Sequence, residues 1–400
     1  MSKRIASLFS GCGGLDIGFT GDFDFGGVHY EKLSTKVVFA NDIDQDACTC
    51  YNSNTLLTND GSMCTLSDIR DIESCSIPNF DILLAGFPCQ PFSNAGKRKG
   101  VNDDNGRGTL FAECERIIRD KIESGCKPQA FVFENVRGIM SSKMPDGITS
   151  VPDEITNRMQ RLGYNVSIKL VCASDYGVPQ KRYRVLIVGI DDQLGIGHYD
   201  FDSMEKIVAE YNIPSEHFGK TEELLIGRIL QNIDGSMDND VWSFSPGTQN
   251  MVNLIGPCKH GNKALNYFID GYSIDELPKE CFEGRSWKDI PYEKLSERFR
   301  KIADNPQKYH APKFFRRFAF GEINGTITAS AQPDKCGITH PTENRRYSVR
   351  ECARIQSFPD SYTFGSIPIQ SRYKVIGNAV PPVMAWVLAK TLLNLLPKDN

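Results

Sequence analysis

The chain has 400 residues, of which 40% are hydrophobic and 24% are charged, and its formal net charge at pH 7 is −4. This balance is typical of a globular protein, and the length favours two domains. The mild charge neither indicates nor excludes nucleic-acid binding, because a local basic surface can act under an acidic total. No apolar run approaches the about 18 residues of a membrane span. The N-terminus also lacks a signal peptide's apolar segment, so we expect no membrane contact.

The thirteen cysteines are scattered along the chain and are never spaced as paired CxxC motifs. They therefore predict neither a disulfide framework nor a metal site. Cys48 with Cys50, and Cys258 with His260, come nearest to pairs of metal ligands. Free cysteines are typical of a reducing compartment, and we expect a cytoplasmic protein.

Strand-like and helix-like segments alternate over the first 190 residues. This alternation is typical of an α/β fold with a largely parallel sheet, in which ligands bind at the carboxyl ends of the strands. The predicted strands are IASLF (5–9), VVFAND (37–42), DILLAG (81–86), AFVFENV (130–136) and RVLIVGI (184–190), and the predicted helix between the third and fourth is TLFAECERIIRDKIE (109–123).

Glycines and acids follow several of these strands. The loop SGCGG (10–14) follows the first strand, Asp42 ends the second, and Asp68 ends a further segment. The glycine spacing is not the GxGxxG of dinucleotide enzymes, which argues against a nicotinamide oxidoreductase. Asp42 is placed to accept hydrogen bonds from ribose hydroxyls, and Asp68 could contact an adenine amino group. Together these features predict a site for an adenosine-containing cofactor.

Cys89 lies in GFPCQPFS (86–93), directly after the third predicted strand and between two prolines. A cysteine on a loop past a strand end is placed like a reactive group. A packing cysteine usually lies inside a strand or a helix, where it behaves as a small hydrophobe. The stretch by itself leaves both interpretations open.

Eight segments, in this order, resemble the motifs of the cytosine-C5 DNA methyltransferases. They are LFSGCGG (8–14), AND (40–42), GFPCQPFS (86–93), RGTLF (107–111), ENV (134–136), QKRYR (180–184), RRYSVRECARIQSFPDSY (345–362) and YKVIGNAVPPV (373–383). The resemblance covers nearly the whole chain. It implies an α/β fold with a Rossmann-like S-adenosylmethionine-dependent methyltransferase sheet and a second, smaller, loop-rich target-recognition domain.

The resemblance also implies the catalytic residues. Cys89 would add to C6 of a flipped-out cytosine, and cysteine suits this step because it is a strong nucleophile that ionises near neutral pH. Glu134 would act at N3 as a protonated or proton-sharing carboxyl. Arg184 would hold O2, with Arg182 supporting the loop or a phosphate. No protein group is an obvious base for the C5 proton, and ordered water or hydroxide could serve.

The implied cofactor is S-adenosyl-L-methionine, with no metal. Its predicted site comprises Phe9, Ser10, Gly11, Cys12, Gly13, Gly14, Asp42, Ile43, Asp68, Ile69, Pro88, Leu110 and Asn378. Two positions depart from the family pattern. Asp42 is one methylene shorter than the usual glutamate, and Ile43 replaces a larger side chain that can stack on adenine.

From about residue 191 the alternation stops and turn signals multiply. The resemblance implies that 191–369 carries target recognition, while 1–190 plus 370–400 forms the catalytic and cofactor-binding domain, closed by a helix over 381–396. The flexible, cationic segment 93–108 would close over the target base. The cationic segment 308–318 predicts a DNA contact but could equally be an amphipathic core segment. The predicted DNA-binding residues are Gln90, Ser93, Lys97, Arg98, Arg316, Arg317 and Arg345.

The expected partner is double-stranded DNA, bound by a monomer. The compact size favours the modification enzyme of a restriction-modification system, with a cognate restriction endonuclease as a second partner. A stand-alone epigenetic role is the alternative. The same scaffold can act on RNA, but the long recognition segment favours duplex DNA. A catalytically inactive DNA-binding relative is a further alternative, against which the intact Cys89, Glu134 and Arg184 argue.

Overall fold

A seven-stranded sheet lies at the centre of the computed structural model, which describes residues 2–59, 61–88, 110–144, 146–233, 238–306 and 315–398. Its order is β5-β4-β1-β6-β7-β10-β8. The strands are β1 (Lys3–Leu8), β2 (Phe23–Phe25), β3 (Val28–Tyr30), β4 (Thr35–Asp42), β5 (Cys64–Leu66), β6 (Ile82–Ala85), β7 (Ala130–Val136), β8 (Tyr164–Cys172), β9 (Gln180–Lys181), β10 (Tyr183–Asp191) and β11 (Asn324–Gly325).

The predicted largely parallel sheet is confirmed, with one reversed strand. From β5 to β7 every neighbouring pair is parallel. Strand β10 runs antiparallel to both β7 and β8. The apolar runs of β7 and β10 are nearly continuous because helices cover the sheet on both faces.

The helices form a layer on each face of the sheet. Alternate residues of β7 divide between the layers: Val132 packs in the cluster that contains α1 and α13, and Phe133 in the cluster that contains α4 and α5. The helices are α1 (Gly14–Thr20), α2 (Gln45–Asn52), α3 (Thr55–Thr58), α4 (Leu110–Glu123), α5 (Val151–Arg161), α6 (Asp202–Glu210), α7 (Ile226–Ile229), α8 (Pro246–Ile255), α9 (Asn262–Ile269), α10 (Glu297–Ala303), α11 (Val349–Ile355), α12 (Ile369–Asn378) and α13 (Pro382–Leu395).

The predicted C-terminal helix is confirmed as α13, which packs closely on α1. A Cβ added at Gly18 would lie 2.3 Å from the Cβ of Ala385, so the two backbones approach as nearly as a glycine allows. Within the part of the chain that the structure describes, Ile369–Leu395 has the length and hydropathy of a membrane span. Its most apolar window is 83% buried inside the protein, as in a core helix.

The segment 238–306 consists of short helices and turns, in keeping with its turn-rich sequence. A small hydrophobic cluster lies here, separate from the main core, and it includes Met251, Ile255, Trp287, Phe299 and Phe315. The preceding helix α6 packs instead on α13, in the main core. The predicted domain boundaries stay a prediction.

Asp16, in the first turn of α1, is a buried acid for which the sequence predicts no role. It is fully buried, and neither carboxyl oxygen has a hydrogen-bond partner of normal geometry among the described residues. Burial raises its pKa from 3.8 to about 7, and the nearby Ser7 and Tyr51 hydroxyls oppose that rise. The folded protein therefore favours the protonated acid.

We expect Asp16→Asn to remove a pH dependence from stability. Because the pKa of Asp16 is raised on folding, its contribution is fully present below about pH 4 and is lost as the pH rises through about 7. From about pH 8 to about pH 6 the wild type should gain about 1 kcal/mol relative to the variant, since one pKa unit is worth about 1.4 kcal/mol. Chemical denaturation of both proteins at both pH values measures this. Equal changes in the two proteins would contradict the assignment.

Candidate active site

A cavity of about 790 Å³ lies at the carboxyl edge of the parallel strands. Its size is that of a small-molecule site. It is lined by residues at the ends of β1, β4, β6 and β7, at the start of β10 and at the end of α12. The predicted site residues that line it are Phe9, Ser10, Gly11, Gly14, Asp42, Ile43, Asp68, Ile69, Pro88, Leu110, Glu134, Arg184 and Asn378.

The loop between β1 and α1 is held in place by Asp42. The Gly11 N–H donates to Asp42 Oδ2 at 2.8 Å, and the Asp44 N–H donates to Asp42 Oδ1 at 2.8 Å. Gly11 has φ 57°, in the left-handed region that favours glycine. Burial raises the pKa of Asp42, although these backbone donors favour its ionised form. Each oxygen keeps a lone pair for a ligand.

Two ion pairs lie on the cavity wall around Asp42. Arg70 Nη2 lies 2.5 Å from Asp68 Oδ2 and lowers the pKa of that carboxyl. Lys374 of α12 donates to the Asp44 carboxylate. Burial opposes ionisation of Asp44, but Lys374 and the backbone donors outweigh it and lower its pKa. Arg70, Asp44 and Lys374 line the cavity without having been predicted from the sequence, although Lys374 lies within YKVIGNAVPPV.

Glu134 and Arg184 meet at the other end of the cavity. Arg184 Nε lies 2.6 Å from Glu134 Oε1, and the two side chains are only 12% and 9% exposed. They lie on the same sheet face because Arg184 is opposite Val136 in the antiparallel ladder. Burial lowers the pKa of Arg184, and the Glu134 carboxylate opposes that shift. Poorly solvated charges of this kind act strongly on a group that enters beside them.

The ENV motif also connects to the loop that leads to Cys89. Asn135 Nδ2 donates to the carbonyl of Phe87 at 3.2 Å. Cβ of a side chain at Gly86 would lie 3.7 Å from Glu134 Oε2, so the loop passes close to the carboxyl. Pro88 is the last described residue of this loop and lines the cavity. Cys89 itself lies outside the described residues, as do the predicted closing segment 93–108 and the predicted DNA contacts Gln90, Ser93, Lys97 and Arg98.

The burial of Arg182 excludes the predicted contact with a phosphate and leaves the other predicted role, support of a loop. Its side chain is fully buried, and its guanidinium donates to the carbonyls of Ile327, Gly377 and Ala379 at 2.9, 2.9 and 3.1 Å. Burial lowers its pKa. Arg182 therefore holds the backbone on both sides of Asn378, a cavity residue.

Cys12 and Gly13 are not among the residues that line the cavity, and their contact with the cofactor stays a prediction. The buried Cys12 thiol is directed at the carbonyl of Val375, 3.5 Å away. Gly13 caps α1 with φ 84°, and a Cβ there would lie 2.3 Å from Leu57 Cδ1. Both residues shape the glycine loop from the core side.

Two of the predicted DNA-binding arginines are occupied inside the protein. Arg317 is 1% exposed and donates to backbone carbonyls, including those of His340 and Glu343 at 3.0 Å, so a DNA contact by it is excluded. Arg345 makes ion pairs with Glu343 and Glu351 but keeps 26% of its side chain exposed, and its DNA contact stays a prediction. Arg316 pairs with Glu322 but keeps 32% of its side chain exposed, and its DNA contact stays a prediction. Residues 308–314 lie outside the described ranges.

Comparison with known proteins shows the family to which the chain belongs. The family profile of C-5 cytosine-specific DNA methylases matches residues 3–394. The chain is 30% identical to the Type II methyltransferase M.FnuDI of Fusobacterium nucleatum, over 98% of this chain and 95% of that protein. It is 31% identical to the Type II methyltransferase M.NgoFVII of Neisseria gonorrhoeae, over 99% of this chain and 88% of that protein.

The solved structure of the Entamoeba histolytica methyltransferase EhMeth has the same fold. The TM-score is 0.58 at 16% identity, with 100% of both chains covered. The chain thus belongs to the C-5 cytosine-specific DNA methylase family and is a DNA cytosine-5 methyltransferase. Its Rossmann-like sheet, expected from the motifs, is confirmed.

We expect Arg182→Met to destabilise the protein by about 3 kcal/mol or more. The methionine keeps an apolar stem but leaves the carbonyls of Ile327 and Gly377 without their donor, whereas the carbonyl of Ala379 keeps the Gln356 amide. An unsatisfied buried polar group costs about 1–3 kcal/mol. Urea denaturation measures the effect, with Arg316→Met as the control at a partly exposed arginine. A loss no larger than that of the control would show that Arg182 is not the anchor described above.

Proposed function

We propose that this enzyme transfers the methyl group of S-adenosylmethionine to carbon 5 of a cytosine that has left duplex DNA. The observation that carries the proposal is the buried Glu134–Arg184 pair, which shares one cavity with Asp42 and Asp68 and adjoins the loop leading to Cys89. Acidic side chains that could hold a nucleoside and a buried polar pair that could hold a base thus share one cavity.

The donor set of the cavity fits S-adenosylmethionine. Asp42 and Asp68 offer acceptors for ribose hydroxyls and for an adenine amino group. Ile43 is a large apolar residue with 66% of its surface exposed, which a flat adenine ring would cover. The lining contains four carboxylates, Asp42, Asp44, Asp68 and Glu134, and the three cations Arg70, Arg184 and Lys374. This excess of negative charge suits a cofactor that carries a sulfonium and an ammonium group.

Glu134 and Arg184 are complementary to the edge of cytosine. This edge carries an amino donor, the N3 acceptor and the O2 acceptor. The guanidinium of Arg184 would donate to O2, while the Glu134 carboxyl would accept from the amino group and share a proton with N3. Since these groups are buried at the end of the cavity, a base stacked in a duplex could not reach them. The target must be extruded, at a cost of a few kcal/mol.

The reaction then requires a nucleophile and a proton at the ring. The Cys89 thiolate adds to C6 and pushes electrons into the ring, where the proton held between Glu134 and N3 meets the developing charge. S-adenosylmethionine, which Asp42 and Asp68 would hold, would supply an electrophilic methyl group to C5, and its sulfur would leave as the neutral thioether S-adenosylhomocysteine. Removal of the C5 proton, for which ordered water is the candidate base, returns the electron pair to the ring. The C6–S bond breaks, and the thiolate of Cys89 is restored.

Several further features belong to the same proposal. Residues 191–369 would read the DNA sequence, and 93–108 would close over the extruded base. The names of the Type II relatives support a role in a cytoplasmic restriction-modification system, with a cognate endonuclease as partner. We propose a monomer as the active form. Methylation of RNA is the competing function on this scaffold, and the test below includes it.

Methyl transfer should require both Cys89 and Glu134. Tritiated S-adenosylmethionine is incubated with mixed-sequence duplex DNA, and separately with total RNA. We expect 5-methylcytosine in DNA, no product with Cys89→Ser, and turnover lowered about 10²–10⁴-fold in Glu134→Gln, the usual range for losing an acid. Glu154→Gln, at another arginine-paired glutamate on α5, is the matched control and should leave turnover unchanged. Tritium label in RNA and not in DNA would show that RNA is the substrate, and this would overturn the proposal.

The covalent step can be tested separately. Duplex DNA containing 5-fluorocytosine has no C5 proton to lose, so methylated enzyme–DNA adducts should accumulate with the wild type. None should form with Cys89→Ser. Full transfer by Glu134→Gln, or an adduct formed by Cys89→Ser, would refute the assigned roles.

Asp42→Asn should weaken cofactor binding more than it slows turnover at saturating cofactor. The amide retains one acceptor for the Gly11 N–H but loses the charge that would bind the ribose hydroxyls. A hydrogen bond to a charged group is worth about 1.5–3 kcal/mol, so we expect the Kd to rise about tenfold or more. Isothermal titration calorimetry measures it, with the remote exposed Asp24→Asn as control. An unchanged Kd would remove Asp42 from the cofactor site.

A further inference from the structure

Arg137 and Tyr183 form a pair at the rim of the cavity. Val136 and Arg184 both line the cavity and are opposite each other in the β7–β10 ladder. The next residues outward, Arg137 and Tyr183, therefore face each other beyond the last ladder position. The Arg137 guanidinium carbon lies 5.5 Å from the centroid of the Tyr183 ring, within the range of a cation–π contact.

The side chains of Arg137 and Tyr183 are accessible to solvent, whereas the neighbouring cations Arg184 and Lys181 form ion pairs within the protein. Tyr183 is 43% exposed, and Arg137 is exposed as well. Arg184 is paired with Glu134, and Lys181 is paired with Glu216. Among the residues that the structure describes, Arg137 has no ion pair or hydrogen bond, so its charge is available to a partner.

Strand alternation in β10 places Tyr183 on the other face of the sheet from Arg184, and Arg137, the residue after β7, contacts its ring there. That face is the one covered by α4, and Phe87 and Leu110 belong both to its hydrophobic cluster and to the cavity lining. Arg137 and Tyr183 thus lie on the α4 side of the cavity mouth. A strand whose base has entered the cavity must bring its neighbouring phosphates to this mouth.

We propose that Arg137, held against Tyr183, binds a backbone phosphate next to the extruded cytosine. This inference rests on the proposed function. The guanidinium lies over the Tyr183 ring, and among the described residues its N–H groups have no acceptor, so they can donate to a phosphate in the bidentate manner. With a net charge of −4, the chain as a whole does not attract DNA, so individual unpaired cations near the site must supply the attraction.

A phosphate contact has a signature that a structural role lacks. Neutralising one phosphate contributes about 0.9 to the slope of log K against log salt concentration. We expect Arg137→Gln to make this slope shallower by about 1 and to weaken duplex binding about tenfold, by similar factors on unrelated sequences. Arg137→Lys should keep most of the slope but bind more weakly, because an ammonium lacks the fork of donors. Tyr183→Phe, which keeps the ring, should behave like the wild type.

The measurement is fluorescence anisotropy of a labelled mixed-sequence duplex over a range of sodium chloride concentrations. Arg161→Gln is the matched control. Arg161 is exposed in the last turn of α5, three residues before β8 begins, and therefore lies at the opposite edge of the sheet. Its loss should leave slope and affinity unchanged. S-adenosylmethionine affinity and thermal stability, measured on every variant, should match the wild type.

Each other outcome has a definite meaning. A wild-type slope in Arg137→Gln would overturn the phosphate contact, even if affinity falls. Weaker DNA binding by Tyr183→Ala, together with normal binding by Arg137→Gln, would overturn the phosphate contact and indicate that a base stacks on Tyr183. An equal slope change in Arg161→Gln would show that the slope depends only on the net charge of the protein, and this would overturn the inference. Failure of the wild type to bind duplex DNA would overturn the proposed function, and this inference with it.

Discussion

The direction of one strand, β10, determines where this protein can perform its chemistry. All strands from β5 to β7 are parallel, so each brings its carboxyl end to the same edge. Because β10 is reversed, it begins at that edge, and Arg184 near its start comes within 2.6 Å of Glu134 near the end of β7. A parallel β10 would carry Arg184 to the opposite edge, a full strand length away. The buried ion pair depends on this reversal, and so does the exposed Arg137–Tyr183 pair just beyond it.

The cavity is assembled from segments that are far apart in the chain, and polar contacts hold them together. Asp42 joins the end of β4 to the glycine loop after β1. Lys374 and Asp44 connect α12 to the segment before α2 across a separation of 330 residues. Arg182 ties β9–β10 to the end of α12 and to Ile327. Each contact closes a long loop, whose entropic cost the hydrophobic packing of α13 on α1 helps to offset.

Arginine serves two purposes here that composition cannot separate. Arg182 and Arg317 are desolvated and donate to backbone carbonyls, so they connect segments of the backbone inside the protein. Burial of such a charge is tolerated only when several donors are satisfied at once, which the guanidinium fork permits. Arg137, by contrast, keeps its donors for a partner. Arg354, in the RRYSVRECAR segment, resembles Arg182 and Arg317. It donates to the carbonyls of Ile229 and Gln231 and so joins α11 to α7.

The sequence by itself determined the α/β class, the set of main strands and the family. AFVFENV, for example, has the same bounds as β7, because a continuous apolar run and its polar end are local properties of the chain. It also placed Asp42, Glu134 and Arg184 in one site through their motifs. Only the tertiary structure decided that β10 is reversed, that Cys12, Gly13, Arg182 and Arg317 are turned into the core, and that Lys374 pairs with Asp44. These outcomes depend on contacts between residues far apart in the chain, and no local window of sequence contains both partners.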